Sequence, residues 1–299
     1  MKEKFLTCIV KITFVFFSLI PHGLLIFMGK CFGFFLRYIL RFKKQRVVEN
    51  LNRVYGSPDK WPPGILGKIY RHFGILFVEI LKMPSLKGEA FTKRFHLKGA
   101  EHLDKALEQN KGVIIVTGHT GNWEYGIAGL NSFGYPMNVI VKKLKDIDND
   151  YLFEKLRGEK GVGFILKEKA VLNIGRALKK NKVVVMVIDQ NSKRSEGVFV
   201  DHFGTSASTY AAPYVLANRF KCPVIPCFCH RDENFYDHHI EVFPQIEQIV
   251  IEGDEDSTVK ANIRKYIESF ENFLLAHPEQ WIWMHRRWRS QPKEEEAEK

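Results

Sequence analysis

No stretch of the chain limits its fold more than Val113-Ile-Ile-Val-Thr-Gly-His119-Thr-Gly-Asn-Trp-Glu124-Tyr-Gly126. Val113 to Thr117 is a short β-branched run bounded by Gly112 and Gly118, the pattern of a strand buried on both faces. Thr120, Gly121 and Asn122 are turn and N-cap residues, and Trp123 to Leu130 reads as helical. A buried strand that turns at once into a helix is the building unit of an α/β sheet. The corner after the strand is where such a sheet presents its chemistry. His119 falls on that corner. Glu124, five positions on, is expected to fold back and hold one ring nitrogen of His119, leaving the other free to take a proton. A histidine near a carboxylate is more often structural than catalytic. Here, however, Gly118 and Thr120-Gly121 let backbone approach a ligand closely, and the helix start behind them suits an anion.

The rest of the chain agrees with that class. Its 299 residues are enough for one large domain or two modest ones, and 45% are hydrophobic, which argues against disorder. A net charge of +11 calls for a polyanionic partner. No zinc finger, aromatic RNA-binding motif or basic repeat supports nucleic acid, and 24 phenylalanines suit a lipid-facing protein better. The five cysteines form no framework and are expected to be free thiols, as in a reducing, cytosol-facing setting. Cys222, Cys227, Cys229 and His230 look like a metal cluster, but alternation along a strand spreads neighbouring side chains over both faces. Neither a metal nor a cofactor is expected.

Phe5 to Leu40 is almost wholly apolar, broken at Pro21-His22-Gly23, and neither half reaches the roughly 20 residues of a full span. A signal peptide fits Met1–Ile20 less well, because no small-x-small cleavage site follows. A pair of core helices is the other rival. Arg37, Arg41, Lys43, Lys44 and Arg46 follow at once, as beside anionic headgroups. The reading is an uncleaved anchor over residues 1–42, a catalytic domain over 43–291 and a solvated acidic tail over 292–299. Within the domain a helix is expected over Ile65–Leu81 and a short strand near His96. Further strands are expected at Met137–Val141, Gly163–Leu166, Val183–Ile188, Val224–Cys229 and Ile240–Phe243. Helices are expected over Tyr151–Lys160, Ala170–Lys180, Ser206–Phe220 and Thr258–Ala276. The fold class is therefore α/β, a mostly parallel sheet flanked by helices and preceded by a hydrophobic membrane-anchoring segment.

Gly118-His-Thr-Gly-Asn-Trp-Glu124 resembles the H-x4-[D/E] signature of the glycerolipid and lysophospholipid acyltransferase superfamily. In its G-H-x-G-N-W-E form it resembles the branch of lipid A biosynthesis acyltransferases, the late lauroyl and myristoyl transferases. Further blocks carry the likeness: Asn50-Leu-Asn-Arg-Val-Tyr55, Leu156-Arg157-Gly-Glu-Lys-Gly161, Pro223-Val-Ile-Pro226 and Pro278-Glu-Gln-Trp-Ile-Trp-Met-His-Arg-Arg-Trp288. Gly197-Val-Phe-Val-Asp-His-Phe-Gly-Thr-Ser-Ala-Ser-Thr209 is similar to the family's G-x-x-V-x-F-F-G-x-x-A-x-T block, with His202 where phenylalanine is usual.

The resemblance implies O-acyl transfer from a thioester to a lipid hydroxyl without a covalent acyl-enzyme, and no G-x-S-x-G elbow is present. It implies His119 and Glu124 as catalytic groups, with Asn122, Arg157, Asp189, Gln190 and Gly204 binding substrate. Arg157 would take the acceptor's phosphate. Asp189 ends a buried strand, where a site and an Asx-type turn cap are both open readings. The implied partners are acyl carrier protein as donor, a phosphorylated glycolipid (a lipid A precursor) as acceptor, and an anionic membrane, with no nucleic acid. The implied location is the inner membrane, catalytic domain toward the cytoplasm. The alternatives are another envelope lipid as acceptor (lysophospholipid, aminolipid or glycolipid) or an inactive membrane-bound lipid-binding protein.

Overall fold

The computed structural model describes residues 2–143 and 148–292. Two apolar helices come first, α1 (Lys2–Leu19) and α2 (His22–Phe34), the second running on through a π-turn over Phe35–Ile39. Then follow α3 (Lys44–Tyr55), α4 (Ile65–Lys82), α5 (Glu89–Thr92), β1 (Phe95–Lys98), α6 (Ala100–Leu107), β2 (Val113–Thr117) and α7 (Trp123–Ser132). The second half comprises β3 (Met137–Val141), α8 (Asn149–Leu156), β4 (Gly163–Leu166), α9 (Ala170–Lys179), β5 (Val183–Val187), β6 (Gly197–His202) and β7 (Thr205–Tyr210). It closes with α10 (Ala212–Phe220), β8 (Val224–Arg231), β9 (His238–Val242) and α11 (Glu255–Ala276).

Seven strands form the main sheet in the order β1-β9-β8-β2-β5-β3-β4, and every pairing but β8–β9 is parallel. The sheet is thus the mostly parallel, helix-flanked one expected from sequence. β2 lies between β5 and β8, so both of its faces are covered. Ile114 and Val116 pack into one apolar cluster with residues of α4, α10 and α11, and Val113 and Ile115 into another with residues of α7. This is why β2 reads as a continuous apolar run and not as an alternating one.

Ser206–Phe220 is not one helix. Thr205–Tyr210 pairs antiparallel with Gly197–His202, and only Ala212–Phe220 is helical. Phe203 (φ 53) and Gly204 (φ 70) make a two-residue turn with both central residues at positive φ, the hairpin geometry that matches strand twist. Ser206, Ala207 and Ser208, small residues of weak intrinsic preference, took the state that tertiary partners impose. Arg287 donates from Nη1 to the Ser208 carbonyl and from Nη2 to the Thr209 hydroxyl.

α2 lies tightly against α4. A Cβ on Gly74 would sit 2.2 Å from the Gly29 carbonyl oxygen and 2.5 Å from the Gly33 amide nitrogen, so the contact needs glycine on both sides. Lys82 closes the end of α1 by donating to the Ser18 and Ile20 carbonyls at 2.7 and 2.8 Å. The outward faces of this helix pair expose Phe5, Ile12, Phe16, Leu19, Phe27 and Phe34, among others. By length and composition His22–Ile39 is apolar enough to cross a membrane. The expectation of a solvated tail over 292–299 falls, but for residue 292, outside the described part of the chain.

Candidate active site

The site is built by strand register. Thr117 of β2 pairs with Val187 of β5, and the two chains leave the sheet side by side at their carboxyl ends. Two residues on in each lie His119 and Asp189. His119 Nδ1 is 2.7 Å from Asp189 Oδ1, and the His119 amide donates to Asp189 Oδ2 at 3.0 Å. The Trp281 indole N–H donates to that same oxygen at 2.7 Å. Gly118 leaves the room this approach requires, since a Cβ there would meet the Phe270 ring at 2.5 Å.

The electrostatics follow from these contacts. Burial by itself would raise the Asp189 carboxyl, but the charge of His119 and the bonds from His119 and Trp281 reverse that and hold it at about 2. For His119 burial works to lower the pKa, and Asp189 first, then Glu124, outweigh it, so the net shift is upward. An ionised Asp189 only accepts hydrogen bonds, so in the neutral ring Nδ1 carries the proton and Nε2 keeps its lone pair. Nε2 faces the Gln190 amide nitrogen at 3.5 Å, and the Trp123 ring packs edge-on to the imidazole. The His119 side chain remains 20% exposed while Asp189 is 1% exposed: a supported base at a surface opening.

Glu124 does not hold His119. Its carboxylate takes a bidentate pair from Arg157, Nε to Oε2 at 3.0 Å and Nη2 to Oε1 at 2.6 Å. Starting the first turn of α7, Glu124 projects toward Arg157 at the end of α8, so its effect on His119 is through its charge alone. Two of the three Arg157 nitrogens are thus committed to Glu124, and an acceptor phosphate would have to be met mainly by Nη1. Asn122 is wholly buried and used at both ends: Oδ1 accepts from the Tyr125 amide and Nδ2 donates to Glu79 at 3.0 Å. It caps α7 and braces the turn instead of facing a substrate. Gln190 stands at the free nitrogen of His119, where a substrate-contacting residue was expected. Gly204 sits at the exposed tip of the β6–β7 hairpin with open space where a side chain would go, so what its position requires is the positive φ of the turn.

Several supporting residues were not anticipated. Glu79, fully buried on α4, accepts from Arg231 Nε at 3.0 Å and from its Nη2, while Arg231 Nη1 meets His72 Nδ1 at 3.0 Å. This buried pair lies beneath Asn122. The lone carboxylate of the helix Ile65–Lys82, set in the apolar run Phe73–Leu81, was the available signal. Gln280 accepts from the Arg231 amide, and its own carbonyl receives the Gly121 amide at 2.8 Å, tying the His119 turn to the C-terminal segment. Gly121 (φ 54) leaves no space for a Cβ, which would lie 2.4 Å from the Cys229 carbonyl oxygen. His202 is buried and stacked on Trp288, with Arg287 Nε donating to Nδ1 at 3.3 Å. It serves as a flat core ring in the place where its relatives are expected to carry phenylalanine.

All five cysteines are free, and Cys222, Cys227 and Cys229 are buried with thiols pushed upward by burial. They share no ligand cluster with His230. Among the described residues the one grouping of metal-ligating side chains is His230, Glu241 and His277.

The profile of the bacterial lipid A biosynthesis acyltransferase family matches residues 1–290. The chain is 22% identical over 247 residues to a lipid A biosynthesis acyltransferase of Haemophilus influenzae, covering 81% of this chain and 75% of that one. It is 23% identical over 283 residues to the lipid A biosynthesis palmitoleoyltransferase of Escherichia coli, covering 91% and 87%. A phosphatidylinositol mannoside acyltransferase of Mycobacterium tuberculosis is 23% identical over 259 residues, covering 82% and 77%. With a matched family profile across nearly its whole length and a histidine corner of the kind its sequence implied, the chain belongs to the bacterial lipid A biosynthesis acyltransferase family.

Proposed function

We propose that this protein transfers a fatty acyl group from a thioester, carried by acyl carrier protein, to a hydroxyl of a lipid A precursor at the inner membrane. The observation that carries the reading is the His119–Asp189 pair, with Nε2 turned away from Asp189 at the surface opening. Nε2 removes the proton of the acceptor hydroxyl as that oxygen attacks the thioester carbon. Asp189 stabilises the imidazolium that forms. The positive end of α7, which starts beside His119, meets the negative charge developing on the carbonyl oxygen. Collapse expels the thiolate, and the imidazolium returns the proton to it, so the base is regenerated without an acyl-enzyme.

Membrane placement rests on the apolar outward faces of α1 and α2 and on the cations that follow them. The catalytic domain then faces the cytoplasm, where acyl carrier protein resides. A second acceptor reading, another envelope glycolipid, is favoured by the relatives named phosphatidylinositol mannoside acyltransferases.

The test uses purified full-length protein with acyl carrier protein thioesters and a panel of lipid acceptors, read by mass spectrometry. A lipid A precursor gaining one acyl group supports the reading. Transfer only to another glycolipid moves the conclusion to the second reading, and no transfer to any acceptor leaves a lipid-binding protein. Flotation with vesicles at low and high salt tests the membrane placement, which fails if the full-length chain stays wholly in solution.

A further inference from the structure

A cleft of about 510 Å³ opens between the start of α3 and the C-terminal segment. Six cations line it: Arg41, Lys43, Lys44 and Arg46 on one wall, Arg286 and Arg289 on the other. The one carboxylate in the lining, Glu49, is already held by Arg46 at 3.1 Å. Among the described residues none of the other five cations has a carboxylate within salt-bridge distance. Like charges gathered in a concave site repel one another, and a bound polyanion relieves that repulsion. Arg41 (φ 47) and Lys43 (φ 52) hold left-handed backbone conformations that non-glycine residues seldom adopt. That turn aims the cationic wall, and α3 begins there with the positive end of its dipole.

We infer that this cleft binds the phosphate of the acceptor lipid's headgroup. The inference rests on the acyltransferase reading for its acceptor but not for its binding chemistry. Three features select a phosphorylated amphiphile. The volume falls in the range of small-molecule sites, while a lining dominated by guanidinium and ammonium groups rejects a fatty chain and suits a phosphate. The cleft stands at the foot of an apolar ridge, where Phe34, Phe35, Ile39, Leu40 and Phe42 are exposed just before the cationic turn. Acyl chains on that ridge leave the headgroup at the cleft. Finally, Asn191 lines the cleft and directly follows Gln190, the residue at the free nitrogen of His119. The Asn191 amide donates to His285 Nε2 at 3.0 Å, so one wall of the cleft is continuous with the catalytic turn.

The experiment measures binding by full-length protein in neutral detergent, with no acyl donor present. The ligands are a short-chain phosphatidic acid, the corresponding phosphate-free diacylglycerol, and inorganic phosphate as a competitor. The variants are Arg286→Ala/Arg289→Ala and, on the opposite wall, Lys43→Ala/Lys44→Ala, all four side chains being exposed. Tenfold or tighter binding of the phosphate-bearing lipid is expected, falling by about tenfold or more in either variant and weakening with salt. Competition by inorganic phosphate at similar concentration assigns the site to phosphate itself; failure to compete while the lipid preference persists assigns it to the headgroup joined to its chains. Equal binding of the two lipids overturns the inference, as does a preference unchanged in both variants. With transfer restored, the variants should raise the acceptor's KM and leave the donor's alone. A rise confined to acyl carrier protein would make the cleft a docking surface for the donor and defeat the proposal. Phosphate-dependent binding without any acyl transfer keeps the cleft and removes the acyltransferase reading, so the two failures are distinct.

Discussion

His119 and Asp189, 70 positions apart in sequence, meet through a 2.7 Å contact because the strands before them are paired in register. The contact fixes the imidazole's tautomer, and the consequences for activity can be stated residue by residue.

His119→Ala should reduce transfer by about 10²–10⁴-fold while leaving the fold intact, as expected for loss of a general base. Asp189→Asn should cost a comparable amount for a different reason. Its amide oxygen can still accept from Trp281 and the His119 backbone, which turns the amide NH₂ toward Nδ1. The ring must then place its proton on Nε2, where the base is needed. Steady-state rates with circular dichroism on the same samples check both, and near-normal rates for His119→Ala would end the general-base assignment.

Activity should rise with pH through a midpoint above 6.5, because a raised His119 pKa keeps the base protonated until then. Replacing Asp189 with Asn removes the largest raising influence and should move that midpoint down. For stability the sign is opposite: with the folded pKa raised, the pairing stabilises below about 6.5 and that contribution fades as pH rises through the folded value. Asp189, depressed from 3.8 to about 2, loses its contribution as pH falls through that interval. A kcat/KM profile of wild type and Asp189→Asn decides the first point, and a midpoint that does not move would refute it.

Glu124 and Arg157 should behave as one unit. Arg157→Gln strands a mostly buried carboxylate, at a cost of about 3–5 kcal/mol if the charge is retained. Glu124→Gln/Arg157→Gln should be clearly less damaging than the two single changes added together, a coupling of roughly 1–3 kcal/mol. Chemical denaturation of the four proteins in this cycle measures it, and simple additivity would contradict the observed pair.

His202→Phe should be tolerated and should flatten the acid side of the stability profile. Burial, then Arg287, depresses the His202 pKa well below 6.5, so the unfolded chain gains a proton there that the folded one refuses. Stability attributable to this residue is therefore present above 6.5 and lost as pH falls. Phenylalanine preserves the stacking on Trp288 and removes the titration, at the expense of the Arg287 contact. Denaturation midpoints at pH 7.5 and 5.5 test this; an equal pH response in both proteins would count against it.

Gly74→Ala should destabilise by about 1–3 kcal/mol, since the added methyl would press on the backbone of α2 at Gly29 and Gly33. Gly23→Ala is the control, because its Cβ meets nothing within 4 Å. Limited proteolysis of α2 should accelerate in the first variant alone.

Features governed by neighbours along the chain are legible in the amino-acid order. β2, the turn and α7 are written in the step from β-branched residues to Gly-His-Thr-Gly-Asn, and most strands and helices of the α/β domain are legible from period and punctuation. The bent apolar helix pair was legible for the same reason, as was the likeness that led to the family. Tertiary structure alone decided who meets whom. Glu124, five residues from His119, seemed its natural partner, yet the start of α7 turns that carboxylate to Arg157, while parallel pairing of β2 with β5 delivers Asp189. Thr205–Tyr210 became a strand because Gly197–His202 and Arg287 supply its partners. Spacing along the chain reports local backbone preference, whereas strand register and buried charge pairing depend on segments that sequence distance does not relate.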